Sequence, residues 1–227
     1  MTTMTFPFPH HLGSVNCYLV RTGSGFILID TGFPKCRTAL EDELERAGVK
    51  AGNLPLILIT HGDGDHTGNA AFLRRKFGGR IAVHPLETAA LKGGDDTLSR
   101  TRSRLQRVFD KIMLAIVRLF INLGKAEGCS PDLLVEEGFD LSPFGWNARV
   151  LHVPGHSRGS IGVLTAGRDF LCGDLFWNFK RPSPHPILDD KAAYRSSVER
   201  LREARVGTVY PGHGEPFTLE RLTPLRR

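Results

Sequence analysis

The stretch Leu56-Ile57-Leu58-Ile59-Thr60-His61-Gly62-Asp63-Gly64-Asp65-His66 decides how the chain is read. Its first four residues are uninterruptedly apolar and follow Pro55, the pattern of a short strand buried on both faces. That strand delivers the chain into a loop that holds two His, two Asp and two Gly within six residues. Glycine tolerates sharp turns, so the loop can fold several side chains toward one point. A solvated acidic turn would also use Asp and Gly, but it gives no reason for two His behind an apolar strand. Four ionisable side chains beside a core need a common partner, because unpaired buried charge is strongly disfavoured. A divalent metal ion satisfies them together.

The same arrangement recurs downstream. His156 follows the strand-like run 148–153 through Pro154-Gly155, Asp174 follows Phe170-Leu171-Cys172-Gly173, and His213 follows Val209-Tyr210-Pro211-Gly212. Each alone is an ordinary loop residue. Added to His61, Asp63, Asp65 and His66, they make seven nitrogen and oxygen donors, a set that suits two metal ions sharing a bridging carboxylate and a bridging hydroxide.

The remaining pattern is mixed α/β. Residues 17–20 and 26–30 read as strands joined by the hairpin signal Thr22-Gly23-Ser24-Gly25, and 37–47 as a helix with Leu40 and Leu44 on one face. A helix over 68–77 and a strand over 80–83 follow, and the second half has strands at 148–153, 160–165, 169–172 and 206–210 with a helix over 190–204. Between them, about 86–128, the character is helical: Leu105, Val108, Phe109, Ile112, Ile116, Leu119 and Phe120 recur at spacings of three and four. Alternating strands and helices in both halves fit a sheet sandwich with outer helices.

At 227 residues and 41% hydrophobic content, the chain is the size of one domain, expected to span 1–227, with enough apolar material for a core. The net charge is +6, and Arg100, Arg102, Arg104, Arg107, Lys111 and Arg118 crowd one stretch, which reads first as a solvated helix face. Four separated cysteines without a C-x-x-C pair suit a reducing compartment. The first eleven residues lack the basic and apolar regions of a secretory signal, and 112–123 is too short and too polar to span a bilayer, so the expected location is cytoplasmic.

These motifs resemble the metallo-β-lactamase superfamily. The resemblance rests on the His61-x-Asp63-x-Asp65-His66 loop, Leu28-Ile29-Asp30-Thr31-Gly32, Pro154-Gly155-His156-Ser157-Arg158-Gly159-Ser160 and Pro211-Gly212-His213-Gly214, and it covers roughly Asn16 to Pro216. It implies an αββα four-layer sandwich with a helical insertion. By the same resemblance His61, Asp63 and His156 hold a first divalent metal, Asp65, His66 and His213 a second, and Asp174 lies between them. Asp30 is then the carboxylate that braces the His loop.

Position 63 departs from the family loop, which has a second His there. With Asp63 bound, three carboxylates and one hydroxide offset two divalent ions completely, whereas the all-His version leaves one positive charge. Zinc is commonest in the family, but the less positive site favours harder ions such as iron or manganese.

The expected function is hydrolysis of an ester, lactone or thioester by a metal-bridging hydroxide, with Asp65 passing a proton to the leaving group. Phe176, Trp177, Phe179 and Tyr194 are candidate pocket residues for a small-molecule substrate; His185 could approach from a Pro-rich loop. Other readings are a phosphodiesterase or nuclease, a mono-iron oxidative enzyme on His61, His156 and Asp174, and a non-catalytic module that uses the basic helix on a membrane, nucleic acid or partner. The apolar stripe of the insertion packs on the domain or forms a homodimer in the leading reading.

Overall fold

The computed structural model of the chain describes residues 1–7, 14–94 and 124–224. Two six-stranded sheets organise them. In the first, β1 (Thr2–Pro7), β2 (Ser14–Thr22), β3 (Gly25–Ile29), β4 (Leu56–Leu58), β5 (Arg80–Val83) and β6 (Leu133–Leu134) lie side by side in sequence order. The first three are antiparallel, and β3 to β6 run parallel. In the second, β7 (Ala148–His152), β8 (Ile161–Thr165), β9 (Phe170–Asn178), β11 (Thr208–Gly214) and β12 (Phe217–Thr218) are adjacent in that spatial order, and β10 (Ser183–Pro184) pairs with β9.

Alternation along each strand sorts the core into layers. From β3, Ile27 and Ile29 enter the layer between the sheets with Leu56, Leu58, Val150, Ile161 and Val163. Phe26 and Leu28 face the other way, onto helices α1 (Arg37–Arg46) and α3 (Ala70–Phe77), where Leu40, Leu44, Leu73 and Phe77 are buried. Short helices α2 (Gly64–Thr67) and α4 (Thr88–Gly93) lie in the first half. Helix α5 (Lys191–Glu203) covers the outer face of the second sheet with Tyr194, Ser197, Val198 and Leu201, spaced to share one face. Its N-cap Asp190 accepts from Ala192 N and Ala193 N at 2.8 and 2.9 Å. The order helix, sheet, sheet, helix is the expected αββα sandwich.

Three details differ from the sequence pattern. The helix expected over 68–77 starts two residues later, as α3, and a separate short helix, α2, precedes it inside the donor loop. Strands β9 and β11 run past Gly173 and Gly212, so Asp174 and His213 stand within strands rather than after them. Parallel pairing of β9 with β11 continues through register shifts at 210–213, which absorb the glycines. The strand β1 has no counterpart in the expected pattern.

The expected amphipathic helix of the insertion, with the basic cluster and the homodimer, nucleic-acid and membrane readings that rest on it, lies outside the described residues. Among the described residues no helix is long and apolar enough to cross a membrane. All four cysteines are buried free thiols, and burial pushes the Cys36 thiol up to about 12.

Candidate metal centre

The carboxyl ends of the parallel strands β3 and β4 open onto one crevice, the usual location of sites in such sheets. Asp30 follows β3 with φ of 59°, a left-handed conformation that Asp tolerates better than most residues. Its Oδ1 accepts from Thr60 N at 2.8 Å, and its Oδ2 accepts from Thr60 Oγ1 at 2.8 Å and faces His66 Nδ1 at 2.8 Å. Because the Thr60 hydroxyl donates to Asp30, its oxygen is left to accept from His61 Nδ1 at 3.0 Å. One buried carboxylate thus fixes two imidazoles with their Nε2 atoms turned inward.

The second sheet meets this loop from the other side. His156 Nδ1 lies 2.8 Å from the Ile187 carbonyl, and His213 Nδ1 lies 2.6 Å from the Ser14 carbonyl. The segment carrying His213 is itself tied to β2: Tyr18 Oη donates to Pro211 O at 2.6 Å, and Asn16 Nδ2 donates to Pro211 O and Gly214 O at 2.9 and 2.8 Å.

The inward atoms converge. Asp63 Oδ2 is 3.0 Å from His156 Nε2 and 3.5 Å from His61 Nε2, so this short side chain is turned into the cluster. Asp174 Oδ2 is 3.2 Å from His213 Nε2, 3.8 Å from His61 Nε2 and 3.9 Å from His156 Nε2, while its Oδ1 is 3.3 Å from His66 Nε2. Asp65 Oδ2 is 3.4 Å from His213 Nε2 and 3.9 Å from His66 Nε2. In the resulting triplets, His61 with Asp63 and His156, His61 with His66 and Asp174, and Asp65 with His66 and His213, the donor atoms lie within 4.8 Å of one another.

Divalent metal ions fit this arrangement. His61 Nε2, His66 Nε2 and Asp174 Oδ1 are buried without a hydrogen-bond partner, although they point into the same small volume. Donors about 2.0–2.1 Å from one tetrahedral ion stand roughly 3.4 Å apart, close to the separations seen. Gly212 keeps the space clear, since a Cβ there would lie 2.4 Å from Asp174 Oδ1 and 2.7 Å from His66 Cε1.

Electrostatics follow from packing carboxylates among imidazoles. Burial lowers His61, and the neighbouring His66 adds to that. Burial opposes charge on His213 as well, but the Asp174 carboxylate outweighs it and lifts the imidazole to about 10. His66 moves the same way: Asp174, Asp30 and Asp65 overcome its burial. Asp174 is held well below the usual carboxylate range because His213 and His66 overcome its own burial.

Glu87 belongs to the site without any assignment from the sequence, and His185, expected only to approach it from a Pro-rich loop, stands within it. Glu87, 5% exposed, accepts from Gly62 N and Gly159 N, both at 2.9 Å, and from Ser157 Oγ at 2.8 Å, tying the His61 loop to the His156 loop. His185 is 8% exposed, with Nε2 3.4 Å from Asp174 Oδ2, and burial pushes its imidazole down to about 4. Glu87 carries no local signal; for His185 the pattern Pro184-His185-Pro186 after a strand was the available clue.

The pocket candidates divide. Trp177 and Phe179 are on the site side, 5.7 Å from the His185 ring and 6.2 Å from the His213 ring respectively. Phe176 and Tyr194 are corrected to core residues: they pack on each other at 5.9 Å in the layer beneath α5, because Phe176 alternates to the opposite face of β9 from Trp177.

Residues 11–213 match the family model of the metallo-β-lactamase superfamily, and the chain belongs to that superfamily. It is a metallo-hydrolase, of a fold that binds divalent metal ions. The probable metallo-hydrolase YqjP of Bacillus subtilis (strain 168) is 29% identical over 240 residues, covering 93% of this chain and 70% of that protein. The acyl-coenzyme A thioesterase MBLAC2 of Homo sapiens is 30% identical over 226 residues, covering 91% and 75%. Among solved structures, TTHA1623 in a di-iron-bound form aligns with a TM-score of 0.71 at 27% identity, over 97% of this chain and 96% of that one.

Proposed function

We propose that this protein hydrolyses acyl thioesters at a centre of two divalent metal ions. The observation that carries the reading is the gathering of imidazole and carboxylate donors around Asp174, at spacings metal ions fit. His61, Asp63 and His156 hold one ion, Asp65, His66 and His213 the other, and Asp174 lies between them. The kinship with an acyl-coenzyme A thioesterase at 30% identity supports the choice of thioester over oxygen ester or lactone. Iron or manganese suits the Asp63 version of the site, and the relative solved with two irons agrees with that preference. Bound metal ions supply Lewis-acid polarisation and a water that is nucleophilic at neutral pH.

The chain's own residues do the rest. Asp65 has the most accessible carboxylate of the set, its side chain 25% exposed; His66 and His213 overcome its burial and keep it ionised, so it is placed to take a proton from the attacking water and pass it to the leaving group. A thiol titrates at about 8.5 against far higher values for alcohols, so a thiolate needs little of that help. Trp177 and Phe179, with rings 5.4 Å apart and Phe179 43% exposed, form an apolar rim where an acyl chain would lie.

Metal-reconstituted protein assayed on matched acyl-coenzyme A thioesters, aryl esters, lactones and phosphodiesters tests the reading. The thioester should give the highest kcat/KM. Turnover of a lactone or phosphodiester with inert thioesters would overturn it.

A further inference from the structure

The imidazoles of His61, His66, His156 and His213 share one arrangement: Nδ1 rests against an oxygen (Thr60 Oγ1, Asp30 Oδ2, Ile187 O and Ser14 O respectively), and Nε2 points into the cluster. His185 has the same arrangement. Its Nδ1 lies 3.1 Å from the Ile187 carbonyl, the oxygen that also faces His156 Nδ1 at 2.8 Å, and its Nε2 reaches to 3.4 Å from Asp174 Oδ2. One carbonyl, with two lone pairs, therefore orients two neighbouring imidazoles toward the same carboxylate. His84 also takes an amide N–H on Nδ1, from Leu86, but its ring stacks on His152 at 4.4 Å between centroids.

The position of His185 is fixed. Pairing of β10 with β9 sets Ser183 opposite Trp177, Trp177 Nε1 donates to Ser183 Oγ at 2.6 Å, and His185 N reaches Leu175 O at 3.4 Å. The ring stands edge-on to His156, with centroids 4.6 Å apart. Nδ1 meets two groups of Ile187: the amide N–H, which donates to it at 3.3 Å, and the carbonyl at 3.1 Å. The amide would use the Nδ1 lone pair and the carbonyl its proton; the carbonyl is the nearer, so we take the tautomer with the proton on Nδ1 and the lone pair on Nε2.

We propose that His185 is a further ligand of the metal ion that His156 and Asp174 hold; these three donors lie within 4.8 Å of one another. The assignment rests on the two-metal reading above. It restores, from the second sheet, the imidazole that Asp63 removes from the first. It also raises the donor count at that ion beyond the four of a tetrahedral zinc site, in the direction of the higher coordination that iron and manganese accept.

The test is metal binding by the whole protein, compared with His185→Gln and His185→Asn, using a chelator competition for stoichiometry and affinity and the visible spectrum of the cobalt-loaded form. Wild type should bind two equivalents, and the variants should hold one of them about tenfold or more weakly, with a changed cobalt spectrum. In wild type, zinc addition should also move the His185 Nε2 resonance in a nitrogen-15 histidine spectrum, a readout that does not depend on a variant folding. Two equivalents with unchanged affinity, unchanged spectrum and an unmoved resonance would overturn the His185 assignment alone. A wild-type chain that binds no divalent metal would overturn it together with the two-metal reading.

Discussion

On the first sheet, His61, Asp63, Asp65 and His66 leave a single strand end within six residues, and side chains brace them: Asp30 and Thr60 from below, Glu87 through Gly62. On the second sheet, His156, Asp174, His185 and His213 arrive singly from separate segments, and main-chain carbonyls of Ser14 and Ile187 brace the imidazoles. The two kinds of bracing answer differently to mutation. A side-chain brace can be deleted by one substitution, whereas a carbonyl brace is lost only when its segment moves. The first half of the site is therefore the genetically fragile half, and the second half depends on loop position.

Three substitutions bear on that contrast. Asp174 touches both halves, so Asp174→Ala should abolish it altogether, with metal lost and thioester turnover down about 10³-fold or more. A variant that kept a tenth of wild-type turnover would mean the halves do not meet at Asp174. Asp30→Asn probes the fragile half selectively. Asn tolerates the left-handed backbone but offers one oxygen to the three donors that Asp30 now serves. Metal affinity should fall about 10–100-fold in a chelator competition. Equal affinity would show that His66 needs no brace.

Glu87→Ala should act on the seam between the halves and have the smallest effect on metal. It leaves Gly62 N and Gly159 N buried without their acceptor, at a cost of about 1–3 kcal/mol each. Urea unfolding of the metal-free protein should show that loss. Unchanged stability would mean other groups take over the two donors.

The same contrast explains how much was legible in the sequence. The first half is contiguous, so an apolar strand, two glycines and four donors sit in one window and give away both the fold and the chemistry. Glu87 was not legible, because its partners are 25, 70 and 72 residues away and its own neighbours look like any helix start. His185 was visible as a residue but not as a donor, since its burial depends on β10 pairing back onto β9. Gly173 and Gly212 suggest strand ends to a propensity argument. Tertiary pairing overrides them, with irregular register between β9 and β11, and places Asp174 and His213 inside strands. Phe176 looked like a pocket wall by closeness to Asp174, but its ring packs on Tyr194 and Phe217 in the layer beneath α5, contacts made across distant segments.

The layer between the sheets gains a second meaning from this. Ile27, Ile29, Leu56, Leu58, Val150, Ile161 and Val163 do more than exclude water: they act as a shim whose thickness sets how far the two sets of donors stand apart. Protein interiors are packed as densely as organic crystals, so a methyl group removed there is felt as a change of position as well as of stability. The gap between Asp63 and His156 is 3.0 Å, and coordination distances are defined to about 0.2 Å. Residues that never approach the chemistry thus set its mechanical tolerance, and exchanging one aliphatic side chain for another in that layer is a change to the active centre made from outside it.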